Sequence, residues 1–108
     1  MIMSTVSETP VLDTLAAMTL DSLERCGLPP DTLILTRIAA LAASEAPPIS
    51  YAAHIDPATR ASLTAGQVQD VLVAIAPIVG TARVALAAGN IFEALGMAIA
   101  VSEGEGGL

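Results

Sequence analysis

The segment from Thr64 to Gly80, TAGQVQDVLVAIAPIVG, limits most sharply what this chain can fold into. Thr64 and Gln67 stand three apart ahead of an apolar run, the spacing of a capping box, which satisfies two orphan amides at a helix start. Val68, Val71, Leu72, Ile75 and Val79 then fall on one helical face, while Val73, Ala74 and Pro77 make the opposite face apolar too. VLVAIA alone has strand propensity, but the capping box and the flanking helical spacing argue for helix. A helix apolar on both sides needs protein on both sides. Gly80 ends it, and Pro77 is expected to kink its last turn.

Composition sharpens that demand. The chain has 108 residues, enough for one domain with a modest core. It is 54% hydrophobic yet holds one Tyr, one Phe and no Trp. Alanine, about a fifth of the residues, favours helix over strand. Small apolar side chains fill little volume, so the surplus apolar surface is expected to go into contacts between copies, as in obligate oligomers.

A mean hydropathy of +0.71 also raises a membrane reading. A spanning helix needs about 20 predominantly apolar residues. Val71 to Ala82 is closed by Asp70 and Arg83, and Val84 to Phe92 is closed by Glu93. No such segment spans, and the basic start of a signal peptide is missing. The expectation is a soluble, cytoplasmic protein with no membrane partner. Four Arg, no Lys and eleven acids give a net charge of −7, which repels phosphate backbones and argues against nucleic acid.

Along the chain, residues 1–9 lack an apolar period and read as a flexible arm, 10–102 as the folded domain, and 103–108 as a flexible tail. Val11 to Cys26 places Leu12, Leu15, Leu20 and Leu23 among acids, an amphipathic helix entered at Pro10 and closed by Gly27. Pro29-Pro30 breaks the chain, and Asp31 can cap a second helix, TLILTRIAALAAS, buried on most sides. A third helix opens at Ile49 and runs toward Ser62, unless Pro57 breaks it. After the Thr64 helix, Gly80-Thr81 caps a last helix from about Ala82 to Val101. In it Ala85, Gly89 and Gly96 would let another helix approach closely. The fold class is all-α, with about five helices.

Few side chains can carry chemistry. His54 is the only histidine and the natural acid or base near neutrality. The bland alternative is an imidazole hydrogen-bonded at a packing surface. Ser50 lies one turn earlier on the same face. A nucleophilic pair would need Glu45 or Asp56 as orienting group, and no nucleophile elbow is present. Arg37 and Arg83 are embedded in apolar segments; each must pair with a carboxylate, Glu45 or Glu93 within the chain or that of a substrate. Tyr51 could line a cavity or simply pack. Cys26, the lone cysteine, sits at a helix C-terminus where a thiolate is disfavoured, and it can form no intrachain disulfide. One histidine and one cysteine cannot build an N/S zinc site, and no glycine loop cradles phosphate. No metal or other cofactor is expected.

Taken together, Arg37-Ile-Ala-Ala-Leu41, a His-bearing helix, a Thr64-capped helix with Gln67, Val68 and Leu72 ending at Gly80, and a long final helix resemble the carboxymuconolactone decarboxylase family. The resemblance covers about Asp31 to Ala100 and is strongest between Ser50 and Gly80. It implies an alkylhydroperoxidase D-like helical domain that forms a homo-oligomer, a trimer or hexamer. The family's peroxidase branch carries a Cys-x-x-Cys pair at the positions of Pro47 and Ser50, and a relay glutamate near Ile34 or Leu35. Without the thiols a disulfide-cycling peroxidase is chemically impossible. The decarboxylase branch, which lacks the thiol pair and keeps a histidine in a pocket between subunits, is the nearer likeness. It implies a thiol-independent lyase or isomerase of a small carboxylated, lactone-type substrate, with His54 catalytic and Arg37, Arg83, Ser50 and Tyr51 about the substrate. The alternative is a non-catalytic oligomer that binds a ligand or partner.

Overall fold

The computed structural model describes residues 7–55, 60, 62–97 and 99, which form five helices and no strand. Residues 1–6 of the expected arm, the expected tail and the expected break at Pro57 lie outside the described residues.

α1 (Pro10–Arg25) opens with proline at its first position, where a missing amide costs nothing. Asp13 in its first turn and Arg25 in its last complement the helix dipole. α2 (Pro30–Ala43) begins the same way: Pro29 is the cap residue, Pro30 the first helical one, and Asp31 stands inside the first turn. The expectation that Asp31 caps this helix is corrected, because Pro30 already holds the helical φ and moves the boundary back. Ile34, Ile38 and Ala42, four apart, form its buried stripe. Thr32, Thr36, Ala40 and Ala43 are exposed, so α2 is buried on one side of the single chain rather than on most.

α2 ends in a Schellman motif. The Glu45 amide donates to Ala42 O at 3.2 Å and the Ala46 amide to Leu41 O at 3.0 Å. Glu45 takes the left-handed position usually given to glycine, at φ 57°. The Glu45 carboxylate accepts from Arg83 Nε, and Ala46 O accepts from Asn90 Nδ2 at 3.0 Å. The turn is therefore tied to the last helix at two points.

α3 (Pro48–His54) is only two turns long and buries Tyr51 completely. α4 (Ala65–Val79) carries the expected capping box, with both reciprocal bonds at 3.0 Å. It buries Val68 and Leu72. Its other face is bare in the single chain: Val73 is 71% and Ile78 86% exposed. Pro77 lies within its last turn. α5 (Thr81–Leu95) buries Ala87, Ala88 and Ile91.

The last helix stops at Gly96 rather than near Val101, since that residue turns left-handed at φ 73° and a glycine does so without steric cost. Gly80 is its cap residue and Thr81 its first helical one, with no side-chain cap. At Gly89 an added Cβ would meet nothing within 4 Å, so among the described residues no helix uses the expected close approach there.

Ile38, Tyr51, Val68 and Ile91 are the largest side chains at the centre of the core. α2 packs on α4, α5 and α3; α3 and α4 each pack on α5. α1 makes no comparable contact and buries no residue.

Candidate functional site

α2 runs through the core, so Arg37 one residue before buried Ile38 is carried to the rim, half-buried. Its Nη2 donates to Thr19 O at 3.4 Å and to Ser22 Oγ at 3.2 Å, both on α1. Neither acceptor is charged, and no carboxylate of the described residues pairs with it. His54 is the last residue of α3, three past the fully buried Tyr51 that fixes the rotation of that helix. The imidazole is half-buried, and Nδ1 is buried without a hydrogen-bond partner.

The two groups share two cavities. The larger, about 410 Å³, is lined by Leu15, Met18, Thr19 and Ser22 of α1, by Arg37, Ala40 and Leu41 of α2, and by His54. That volume lies within the range of small-molecule sites. A second, of about 240 Å³, continues on the other side of Thr19, Arg37 and His54, between Leu20 and Leu23 of α1 and Leu33 of α2. Arg37 is the only guanidinium among the residues lining either space.

Burial pushes the His54 pKa below its ordinary 6.5, and the Arg37 charge pushes it the same way. At neutral pH the imidazole is therefore neutral and able to accept a proton. Beside a fixed cation, the site can hold an anion and move a proton next to it. Tyr51 is different: burial raises its pKa to about 12, its hydroxyl has no partner, and it does not line either cavity.

The remaining sequence-selected residues lie apart. Ser50 is half-buried and its amide donates to Pro47 O at 3.0 Å, but no hydrogen bond joins it to His54. Arg83, on α5, is paired with Glu45, one of the two carboxylates its sequence suggested, and lines neither cavity. Asp56 falls outside the described residues. Pro47 and Ser50, where the thiols would stand, bracket the start of α3, and Ile34, at a relay-glutamate position, is buried in the core. Cys26 is half-buried at the end of α1, where its sulfur accepts from the Leu28 amide at 3.4 Å. Among the described residues no cluster of His, Cys, Asp and Glu could hold a metal ion, and no helix is long and apolar enough to cross a membrane.

Sequence reasoning missed Thr19 and Ser22. The signal was present: Leu15, Met18, Thr19 and Ser22 share one helical face, which meets the row of Leu12, Leu15, Leu20 and Leu23 at Leu15.

No curated protein and no solved structure matches the chain. The model of the carboxymuconolactone decarboxylase family matches residues 9–102. With that match spanning nearly the whole sequence, and the Cys-x-x-Cys pair absent, the chain belongs to the carboxymuconolactone decarboxylase family as an all-helical member with a single cysteine.

Proposed function

We propose that this protein is a thiol-independent lyase or isomerase of a small carboxylated, lactone-type substrate. The observation that supports it is the placement of Arg37 and His54 on the same cavity, with no carboxylate among the described residues paired with Arg37. Arg37 holds the substrate carboxylate by charge-assisted hydrogen bonds. In an isomerisation neutral His54 accepts a proton from one carbon and its conjugate acid returns it to another. In a decarboxylation the C–C bond breaks, CO2 leaves, and protonated His54 gives its proton to the electron pair left on carbon. Such a positioned transfer is usually worth about 10²–10⁴ in rate. Burial, with Arg37 beside it, keeps the imidazole neutral until an anion arrives. In this reading Ser50 and Tyr51 support α3, while Arg83 secures the α2–α3 turn; neither Ser50 nor Arg83 touches the substrate.

The test is turnover of carboxylated lactones by wild type, His54→Ala and Arg37→Gln. His54→Ala is expected to lose about hundredfold or more in kcat, and Arg37→Gln to raise KM. Equal turnover by wild type and His54→Ala removes His54 from the mechanism.

A second reading has support of its own. The bare faces of α1 and α4, with Val11 at 70% and Ile78 at 86% exposure, suit assembly with further copies of the chain, a trimer or hexamer by family analogy. A non-catalytic oligomer that binds an acid in the same cavity would show saturable binding without turnover.

A further inference from the structure

The outward face of α5 has no partner among the described residues. Ala87, Ala88 and Ile91 turn toward the core. Gly89 points the opposite way, with open space where a Cβ would stand. Beside it Leu86 is 47% exposed and Phe92, the only phenylalanine, 57%. Ala82, Leu86, Gly89, Glu93 and Gly96 are all exposed and recur at alternating steps of four and three, the spacing of a helix seam that packs on another helix. Side-chain size along this face also repeats when it is read backwards. Reversed about Gly89, small Ala82 falls on small Gly96, and large Leu86 falls on large Phe92.

We propose that this face joins two copies of the chain, their α5 helices antiparallel about a two-fold axis beside Gly89. A two-fold contact needs a surface that fits itself, and the reversed order meets that need. Glycine at the crossing lets the helix axes approach to the near end of the usual 8–10 Å range, while Leu86 of each copy lies at the level of the partner's Phe92. Charge is complementary too. The chain carries −7, so two copies repel wherever their acids meet. Here the axis brings Glu93 within about 3 Å, measured along the helix, of the level of the partner's Arg83. At about 100° per residue Arg83 and Glu93 lie on the same side of Gly89, so each Glu93 shares an edge with the partner's Arg83. Arg83 reaches Glu45 through Nε, and its guanidinium has further N–H groups to offer. Glu93, the second carboxylate that the sequence offered to Arg83, is thus supplied by another copy. This rests on the reading of the chain as an assembly and fixes the parity of that assembly. A two-fold contact pairs the copies, so of a trimer and a hexamer it selects the hexamer.

The test is sedimentation of the full-length protein across a dilution series, wild type against Gly89→Glu. The substitution suits the purpose because nothing in the subunit stands within 4 Å of the new Cβ, and glutamate is a better helix former than glycine. At the axis it sets two carboxylates against each other. Wild type is expected to contain an even number of copies and Gly89→Glu half that number, with the helical circular dichroism retained. A second measurement does not depend on how Gly89→Glu folds. Gly89→Cys, made together with Cys26→Ser so that it is the only thiol, is expected to form a covalent dimer under mild oxidation.

A trimeric wild type, or a folded Gly89→Glu that keeps the wild-type mass, overturns this contact and leaves assembly through α1 and α4 standing. An even-numbered assembly in which Gly89→Cys does not cross-link overturns the placement of the axis. A wild type that stays monomeric at every concentration overturns the contact and the assembly reading together, and leaves the α5 face to a different protein.

Discussion

One wall of the Arg37–His54 cavity is α2 and α3, anchored by Ile38 and Tyr51, both completely buried. The other wall is α1, which buries nothing and leaves Val11, Leu12, Leu15, Met18, Leu20 and Leu23 exposed. The first wall is held by apolar burial, at roughly 25 cal/mol per Å² removed from water. The second is joined to it through hydrogen bonds from one guanidinium to Thr19 and Ser22, each worth about 1–3 kcal/mol at most for a charged donor. The contrast teaches where this chain keeps stability and where it keeps access. Its catalytic candidate stands on the rigid wall, and the face that would admit a ligand lies against the loosely held one.

The largest effect that tests the contrast comes from Ile38→Ala. It is expected to cost about 2–5 kcal/mol in denaturant unfolding, the range for emptying a large core position. Leu12→Ala, measured with the chain dilute enough to stand alone, is expected to stay within about 0.5 kcal/mol, as surface changes do. A comparable loss at both positions would mean that α1 is as firmly packed as α2.

Titration separates the walls in a second way. The chain has one tyrosine and no tryptophan, so its phenolate absorbance reports Tyr51 alone. Its midpoint is expected near 12, where burial holds it, rather than 10. Because the unfolded chain ionises first, stability falls as pH rises above 10. Tyr51→Phe is expected to abolish that fall. A midpoint at 10 would place the hydroxyl in water.

The smallest effect belongs to His54. Its folded pKa lies below 6.5, so the unfolded chain takes up the proton first as pH drops. Stability is unaffected by His54 above pH 6.5 and decreases as pH falls from there toward the folded value. The decrease is expected to be shallow, the imidazole being only half-buried, and to be smaller in Arg37→Gln, where one of its two causes is gone. An unchanged acid limb in His54→Ala would remove His54 from it.

Much of this architecture could be read from local signals. The capping box at Thr64, the prolines that open α1 and α2, and the glycine that ends α4 each act through one or two neighbouring residues, so the sequence displays them directly. Gly96 was equally visible but ambiguous, since a glycine can serve close packing inside a helix or end it. His54 and Arg37 stood out because a lone imidazole and an embedded guanidinium have few neutral roles. What stayed hidden was long-range. Glu45 was one of two carboxylates open to Arg83, 38 positions away, with nothing local to choose between them, and that Arg37 would meet Ser22, 15 positions away, had no signal at all. No helical period encodes such a pairing. Equally, the period of α1 is ambiguous between adjacent faces, and only the placement of Arg37 decides that Thr19 and Ser22 point toward the cavity.

The clasp at Glu45 and Ala46 carries a consequence for how this protein could drift in sequence. It fixes the azimuth at which the short His54 helix leaves α2, yet its two outer members, Arg83 and Asn90, sit on α5 and line neither cavity. Natural variation at those two sites can shift where His54 stands while leaving every cavity-lining side chain as it was. A survey confined to the pocket would score such variants as silent.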